Sequence, residues 1–390
     1  MAPVPRHRLP SVAIAGAGAA GLWSALALLE AGWPPHRVAV FEPDAKEADD
    51  HTWGYWARES LLPGVDAEVS LDRFLVRAGG RDYAARMAPY RYFSLRSSAF
   101  YGYARRVLAQ AGVPWTQARV GELAESSERV TVHDDAGRER GAFDYVLDSR
   151  PVAVAVGHPD FHATVQHFGG FFVEAARDTF DEGLVVLMDF EDFAGEVGFF
   201  YVVPYGPRRA LVELAIVSEH VWPRHAYDGA LHDYLERHYP GTELAVAERE
   251  YGAIPMTDEP LWRASTPRVW RIGTAGGWVQ PSSGYAFTRC ARFGREVAGA
   301  LSQNRPRPWR PSPAQQTLNS VMLGYMIDEP RAVGGMFVDW FADNGPGRAF
   351  AFLDEATGPL DTLRLMWRSP KAAFTPRAIA EVAARVSGRK

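Results

Sequence analysis

The stretch from Ser11 to Glu42 constrains the fold of this chain more than any other. Ser11-Val-Ala-Ile-Ala15 is a short apolar run of the kind that fills a buried parallel strand. It leads directly into Gly16-Ala-Gly18-Ala-Ala-Gly21, then into a helical pattern, Leu22 to Glu30, that stops at Ala31-Gly32 ahead of Pro34-Pro35. Val38-Ala-Val-Phe-Glu42 supplies a second strand, which completes a Rossmann-type βαβ unit. Each glycine has a task. Gly16 permits the turn out of the strand, Gly18 lets the backbone approach a pyrophosphate, and Gly21 lets the helix pack closely on the sheet. At Ala19 and Ala20 the helix begins, and its free N–H groups and positive dipole end face the phosphates. Glu42, 21 positions after Gly21, can accept from a ribose hydroxyl, and its charge opposes the 2′-phosphate of NADP. NAD and FAD both remain open from this segment, as does an ordinary strand–helix turn.

A second glycine-rich segment favours FAD. Arg271-Ile-Gly273-Thr-Ala275-Gly276-Gly277 reads as a strand ending in small residues, and Pro281-Ser-Ser283-Gly284-Tyr285 as a turn into a helix from Thr288 to Leu301. Small residues let backbone approach a bulky planar ligand, and a helix start can face its polar edge. A plain loop is the competing reading.

Between these segments the chain is rich in strands: Phe168 to Glu174, Leu184 to Phe190, Phe199 to Pro204 and Ala210 to Val217, with a helix over Tyr227 to His238. Ser97 or Ser98 is placed to cap a helix running to about Gln110. Val130–Asp134 and Phe143–Asp148 read as strands of one meander around the turn at Asp134-Asp-Ala-Gly137. Past Pro306 the sequence is helical again. The expected architecture is α/β and two-lobed: a discontinuous nucleotide domain (10–165 and 251–305), an inserted β-rich substrate domain (166–250) and a helical cap (306–390). Part of 75–100 is a candidate for the substrate lobe.

Composition narrows the function. A net charge of −5 over 390 residues gives no electrostatic case for nucleic acid. Cys290 is the single cysteine, so no intramolecular disulfide and no CxxC site forms, and a cytoplasmic-type compartment is expected. The opening Met1–Arg8 lacks the apolar run of a leader, and no run of about 18 apolar residues reads as a membrane span. His51 beside Asp49 and Asp50 lacks a second histidine at ligand spacing, so no metal site is assigned. His220, His225, His232 and His238 read as surface residues, and so do Arg96 and Arg150. The tail, Phe374 to Lys390, is amphipathic and basic; it reads as an exposed helix or as a peripheral membrane contact.

An ordered set of motifs resembles the FAD-dependent lycopene cyclases of carotenoid synthesis. The set comprises Gly16–Gly21, His51-Thr-Trp53, Tyr92…Leu95-x-Ser97-x-x-Phe100, Asp144-x-Val-x-Asp148-x-Arg150, Phe168-x-Gly170 and Leu187-Met-Asp-Phe190. It continues through Tyr201…Pro204, Leu211-Val-Glu213, Gly252-x-Ile-Pro-Met256 and Gly273…Tyr285. The resemblance runs over roughly residues 10 to 300. It implies an aromatic-hydroxylase type of fold holding reduced FAD, with NAD(P)H as a possible reductant, and a lipophilic polyene substrate. It extends the cofactor contacts to Trp53, Asp148, Ala275, Gly276, Pro281, Ser283, Gly284 and Tyr285. The implied reaction is non-redox: a carboxylic acid, carried over to Glu213, protonates a terminal alkene and a ring closes on the cation. Leu214, Ala215, Gly54 and Pro151 depart from the family pattern. A flavin monooxygenase or dehydrogenase of the same fold, and a flavin-binding redox sensor, are the alternative readings.

Glu213 suits that role on physical grounds. It stands in the strand-like run Ala210–Val217, where alternation puts it on one face with Leu211 and Ala215. Apolar surroundings keep a carboxyl protonated. An ordinary salt-bridged glutamate is the alternative.

Overall fold

The computed structural model describes residues 9–65, 69–154, 156–303, 306–388 and 390. Met1–Arg8 and Arg389 of the basic tail lie outside them. Strands and helices are numbered along the chain.

The βαβ unit forms as the sequence predicts: β1 (Val12–Ala15), α1 (Ala19–Glu30) and β2 (Val38–Phe41). All four residues of each strand are buried, which is why both read as unbroken apolar runs. They lie at the centre of a five-stranded parallel sheet completed by β8 (Trp115–Thr116), β12 (Tyr145–Asp148) and β18 (Val269–Arg271), in the order β18-β12-β1-β2-β8. The meander comprises β9 (Val120–Glu125), β10 (Val130–Asp134) and β11 (Glu139–Phe143). The predicted strand Phe143–Asp148 is therefore divided between two sheets. Asp144 makes the break: its Oδ2 accepts from the amide and hydroxyl of Ser11, at 2.7 and 2.8 Å, which fastens the chain to the start of β1.

The larger sheet has seven strands in the order β17-β13-β16-β15-β14-β5-β6. These are β17 (Leu244–Thr257), β13 (Ala163–Ala175), β16 (Arg209–Ser218), β15 (Glu196–Gly206), β14 (Leu184–Phe193), β5 (Arg73–Ala78) and β6 (Arg81–Arg86). A small sheet of β3 (Thr52–Ala57), β7 (Arg91–Arg96) and β4 (Val69–Leu71) stands beside it. Helix α2 (Ser97–Ala111) follows β7, but neither serine caps it. Asp49 Oδ1 accepts from the Ser98 amide, and Ser97 Oγ accepts from the amides of Asp50 and His51.

The two faces of the large sheet have different covers. Val212, Leu214 and Ile216 pack on α3 (Arg224–His238) through Tyr227, Leu231, Tyr234 and Leu235. At Gly169 any side chain would meet Tyr227, since an added Cβ lies 2.6 Å from that residue's Cβ. On the opposite face, Leu211, Ala215, Phe199 and Tyr201 pack toward the C-terminal helices. After α4 (Phe287–Leu301) come α5 (Pro313–Asp328), α6 (Pro330–Asn344), α7 (Pro346–Leu353), α8 (Pro359–Arg368) and α9 (Lys371–Val386). Four of these five open on a proline, whose fixed φ and missing N–H suit a first helical position. Two ionic clusters fasten the cap. Buried Arg289 of α4 pairs with Glu355 after α7, and Lys390 Nζ donates to Asp258 and Glu381.

Candidate active site

A groove of about 620 Å³ opens at the C-terminal ends of β1 and β2, where ligands bind in open α/β sheets. Its walls include Gly16, Gly18, Ala19, Ala20, Glu42, Trp53, Gly273, Gly284 and Tyr285. Gly16 has φ +99°, outside the range of ordinary side chains. A Cβ on Gly21 would sit 1.9 Å from the Gly16 carbonyl oxygen, whereas one on Gly18 would touch nothing within 4 Å and would stand in open space. The glycines thus separate into one that turns, one that packs and one that leaves room for a ligand. Glu42 is buried and braces the loop: its Oε2 accepts from the Ala17 amide at 2.6 Å and its Oε1 from Asp44.

Other predicted contacts are placed differently. Asp148 is fully buried and does not line the groove, because its carboxylate is held by Arg150 and Arg271. Its effect is indirect: Arg150, expected at the surface, is fixed on the groove wall and also donates to the Gly121 carbonyl. Ala275 and Gly276 are buried in the 3-10 turn at 273–276, and Pro281 lines neither the groove nor the cavity beyond it. Trp53 stacks on Phe287 at 4.9 Å within an aromatic cluster with Phe100 and Tyr101. Thr52, Arg119, Ser149, Gly252 and Cys290 also line the groove and were not singled out as contacts from sequence. Burial pushes the Cys290 thiol up to about 12, so it is not a reactive thiolate at neutral pH. Arg96 is likewise not a free surface residue. It donates to Asp49 and Glu248 and lies over the Phe172 ring. His220, His225, His232 and His238 are exposed, as expected.

Behind Tyr285 and Gly284 the groove adjoins an inner cavity of about 100 Å³, whose wall includes Glu213, Tyr92, Tyr201, Gln166 and Ser283. The alternation predicted for Ala210–Val217 holds, and Glu213 faces this cavity from the middle of β16. Residue registers place Glu250, Gly170, Glu213 and Tyr201 in one row across β17, β13, β16 and β15. Burial first, and then the charge of and hydrogen bond to Glu250, push the Glu213 carboxyl well above its ordinary range. Glu213 keeps a little accessible surface because it lines the cavity. Glu250 is also pushed up by burial, against the opposing effect of Thr52, whose hydroxyl donates to it at 2.7 Å. Burial holds Tyr92, Tyr201 and Tyr285 protonated, and the hydroxyls of Tyr201 and Tyr285 lie 3.2 Å apart. The departures from the family pattern have places here. The Tyr92 hydroxyl would lie 2.1 Å from a Cβ at Gly54, and Leu214 belongs to the opposite face, under α3.

From the inner cavity an apolar route leads into the cap. Gln166, Tyr201, Ser283 and Tyr285 are shared with a constriction of about 30 Å³ bounded by Met188, Phe199, Val333 and Phe337. Phe337, Leu353 and Ser282 in turn border an open groove of about 670 Å³ between α5, α6, α8 and α9.

A five-stranded parallel sheet, a seven-stranded mixed sheet and a helical cap define an architecture shared with flavin-dependent enzymes. The flavin-dependent brominase Bmp2 is 15% identical with a TM-score of 0.60, over 97% of this chain and 99% of that one. A geranylgeranyl bacteriochlorophyll reductase-like protein from Thermoplasma acidophilum is 13% identical with a TM-score of 0.57, over 96% and 98%. The halogenase PltM is 13% identical with a TM-score of 0.55, over 98% and 94%. At this identity the likeness establishes the fold. The family is established separately: residues 11–376 match the model of the lycopene cyclase protein family, and the chain belongs to it. No curated protein matches it by sequence.

Proposed function

We propose that this chain holds FAD in the groove between Gly16 and Tyr285 and closes a ring on a linear isoprenoid polyene by proton transfer, without net oxidation. One observation carries the reading. Glu213 is a deeply placed carboxylic acid whose cavity adjoins the nucleotide groove on one side and an apolar passage on the other. Alkene protonation needs an acid shielded from water, and desolvation keeps Glu213 protonated. The O–H bond of Glu213 breaks as its proton goes to the terminal alkene. The π pair of a neighbouring alkene then closes the ring, and loss of a ring C–H proton to a carboxylate leaves the new double bond. Tyr285, Tyr201 and Phe168 line the cavity, and their π systems would stabilise the cation. Gly18 leaves space for a pyrophosphate, and Gly273 and Gly284 line the groove with positive φ, where a side chain would run into Ala20 and Gln166. Bound in its reduced form, with NAD(P)H as the proposed reductant, the flavin would supply negative charge near the developing cation.

The apolar lining between the inner cavity and the cap suits the rest of a long apolar substrate, which would have to widen the constriction of about 30 Å³ as it enters. The outer groove is rimmed by exposed Met366, Ile379, Val382 and Val386; Leu360, Leu363 and Trp367 are exposed on α8 among Arg364, Arg368 and Lys371. We propose that this surface rests on an anionic bilayer from which the polyene enters. Among the described residues no helix is long and apolar enough to cross a membrane. Anaerobic incubation of the flavin-reduced enzyme with a linear polyene tests the reaction. A cyclic product of unchanged mass supports it, whereas no product until oxygen is admitted, and then product formed in step with NAD(P)H and oxygen consumption, identifies a monooxygenase and refutes it.

A further inference from the structure

Glu250 was not a candidate from sequence, yet it stands opposite the proposed acid. Gly170 of β13 pairs with Glu213 on one side and with Glu250 on the other. A Cβ on Gly170 would lie 3.4 Å from the Glu213 Cβ and 3.3 Å from the Glu250 Cγ. The missing side chain therefore lets two carboxyls from non-adjacent strands meet over the middle one. Their chemistry is incomplete if both are ionised. Glu250 Oε2 accepts from Thr52, but Glu250 Oε1 is buried and has no donor among the N–H and O–H groups of the described residues. A proton on Glu213 supplies that donor, and the two side chains are within hydrogen-bonding reach.

We propose that Glu250 is a positioning residue for Glu213: the two carboxyls hold one proton between them across Gly170, Thr52 keeps Glu250 the ionised member, and the proton stays on Glu213. The idea rests on Glu213 being the proton donor for ring closure. Two carboxyls this close cannot both ionise readily, which keeps one proton in the pair at neutral pH. Thr52 then breaks the symmetry, since a hydroxyl donor favours the charged form on Glu250. Other groups acting on the pair are Arg96 and Tyr92 from β7, His51 beside β3, Tyr201 and Tyr205 from β15, and Tyr285 from the turn before α4. Arg96 is itself tied to Asp49 and Glu248, so its charge acts on Glu250 without forming a direct pair. Among the described residues Glu213 is the one carboxylate that lines the inner cavity, and Glu250 acts on it from outside that wall. After proton loss from the substrate the pair again holds one proton, and the cycle closes without a net charge change.

Infrared difference spectroscopy tests this without relying on turnover. The protonated-carboxyl band of Glu213 is identified by its loss in Glu213→Gln and followed with pH in the flavin-loaded enzyme. In Glu250→Gln the pH at which that band disappears is expected to fall by at least one unit, because a like charge has been removed. Thr52→Val should weaken the same band at pH 7 by moving the proton toward Glu250, and it provides a second reading if Glu250→Gln folds poorly. A Glu213 band with the same pH midpoint in wild type and both variants overturns the proposal. The alkaline limb of kcat/KM separates the two claims. If the band shifts and the limb does not follow, the carboxyl pair stands and Glu213 as donor fails.

Discussion

Replacing Glu213 by glutamine should make the protein more stable as it removes the reaction. A carboxyl that keeps its proton at pH 7, while the unfolded chain ionises near the ordinary value of 4.5, costs the fold about 3 kcal/mol at about 1.4 kcal/mol per pH unit of separation. Glutamine is neutral in both states and does not carry that cost. Its buried NH2 group requires acceptors, which offsets roughly 1–2 kcal/mol, so the net gain at pH 7 is about 1–2 kcal/mol. The sign with pH follows from a raised folded value. Wild-type stability is fully present below about 4.5 and falls as pH rises toward the folded value. The advantage of the variant should therefore be absent at pH 4, grow through neutral pH and be larger at pH 8. Paired urea or thermal unfolding curves at matched flavin occupancy measure it, with Glu250 common to both proteins. A Glu213→Gln protein that is less stable than wild type at pH 8, or whose difference does not change with pH, would show that Glu213 is ionised in the fold.

Gly21→Val should abolish flavin binding with secondary structure retained, because its Cβ would fall 1.9 Å from the Gly16 carbonyl oxygen; flavin absorbance per mole of protein checks this. Glu355→Gln leaves Arg289 buried without its counter-charge and should cost roughly 3–5 kcal/mol in urea unfolding. Phe337→Trp narrows the constriction beyond the inner cavity and should raise KM for a long polyene at unchanged flavin content; an unchanged KM would mean the substrate takes another route. Replacing Leu363 and Trp367 together by serine should reduce flotation with anionic vesicles, and equal flotation would rule out α8 as the contact surface.

The sequence was most informative where one short segment carries a whole structural unit. Gly16, Gly18, Gly21 and Glu42 sit in a single βαβ, and their order alone places three of them on the groove and one against the loop. Glu213 was readable because period-2 alternation in Ala210–Val217 decides its face. Glu250 was not. Its meeting with Glu213 depends on the registers of three strands and on the small size of Gly170, and its own stretch, Ala247-Glu-Arg-Glu-Tyr251, is too charged to read as a long central pairing. Asp148 shows a different limit. The family resemblance implied a cofactor contact there, whereas the buried carboxylate holds Arg150 and Arg271 and only Arg150 reaches the groove. Strands β5 and β6 join a sheet whose other members begin some 80 residues later, and no local pattern announces such a pairing.

The central claim is that the substrate receives a proton while the flavin exchanges no electrons with it. A single anaerobic turnover of flavin-reduced enzyme, equilibrated beforehand in D2O and mixed with a linear polyene, tests it most directly. The expected result is one solvent-derived deuterium per ring formed, with the reduced-flavin spectrum identical before and after. A ring without deuterium, or product appearing only as the flavin is reoxidised, would contradict it.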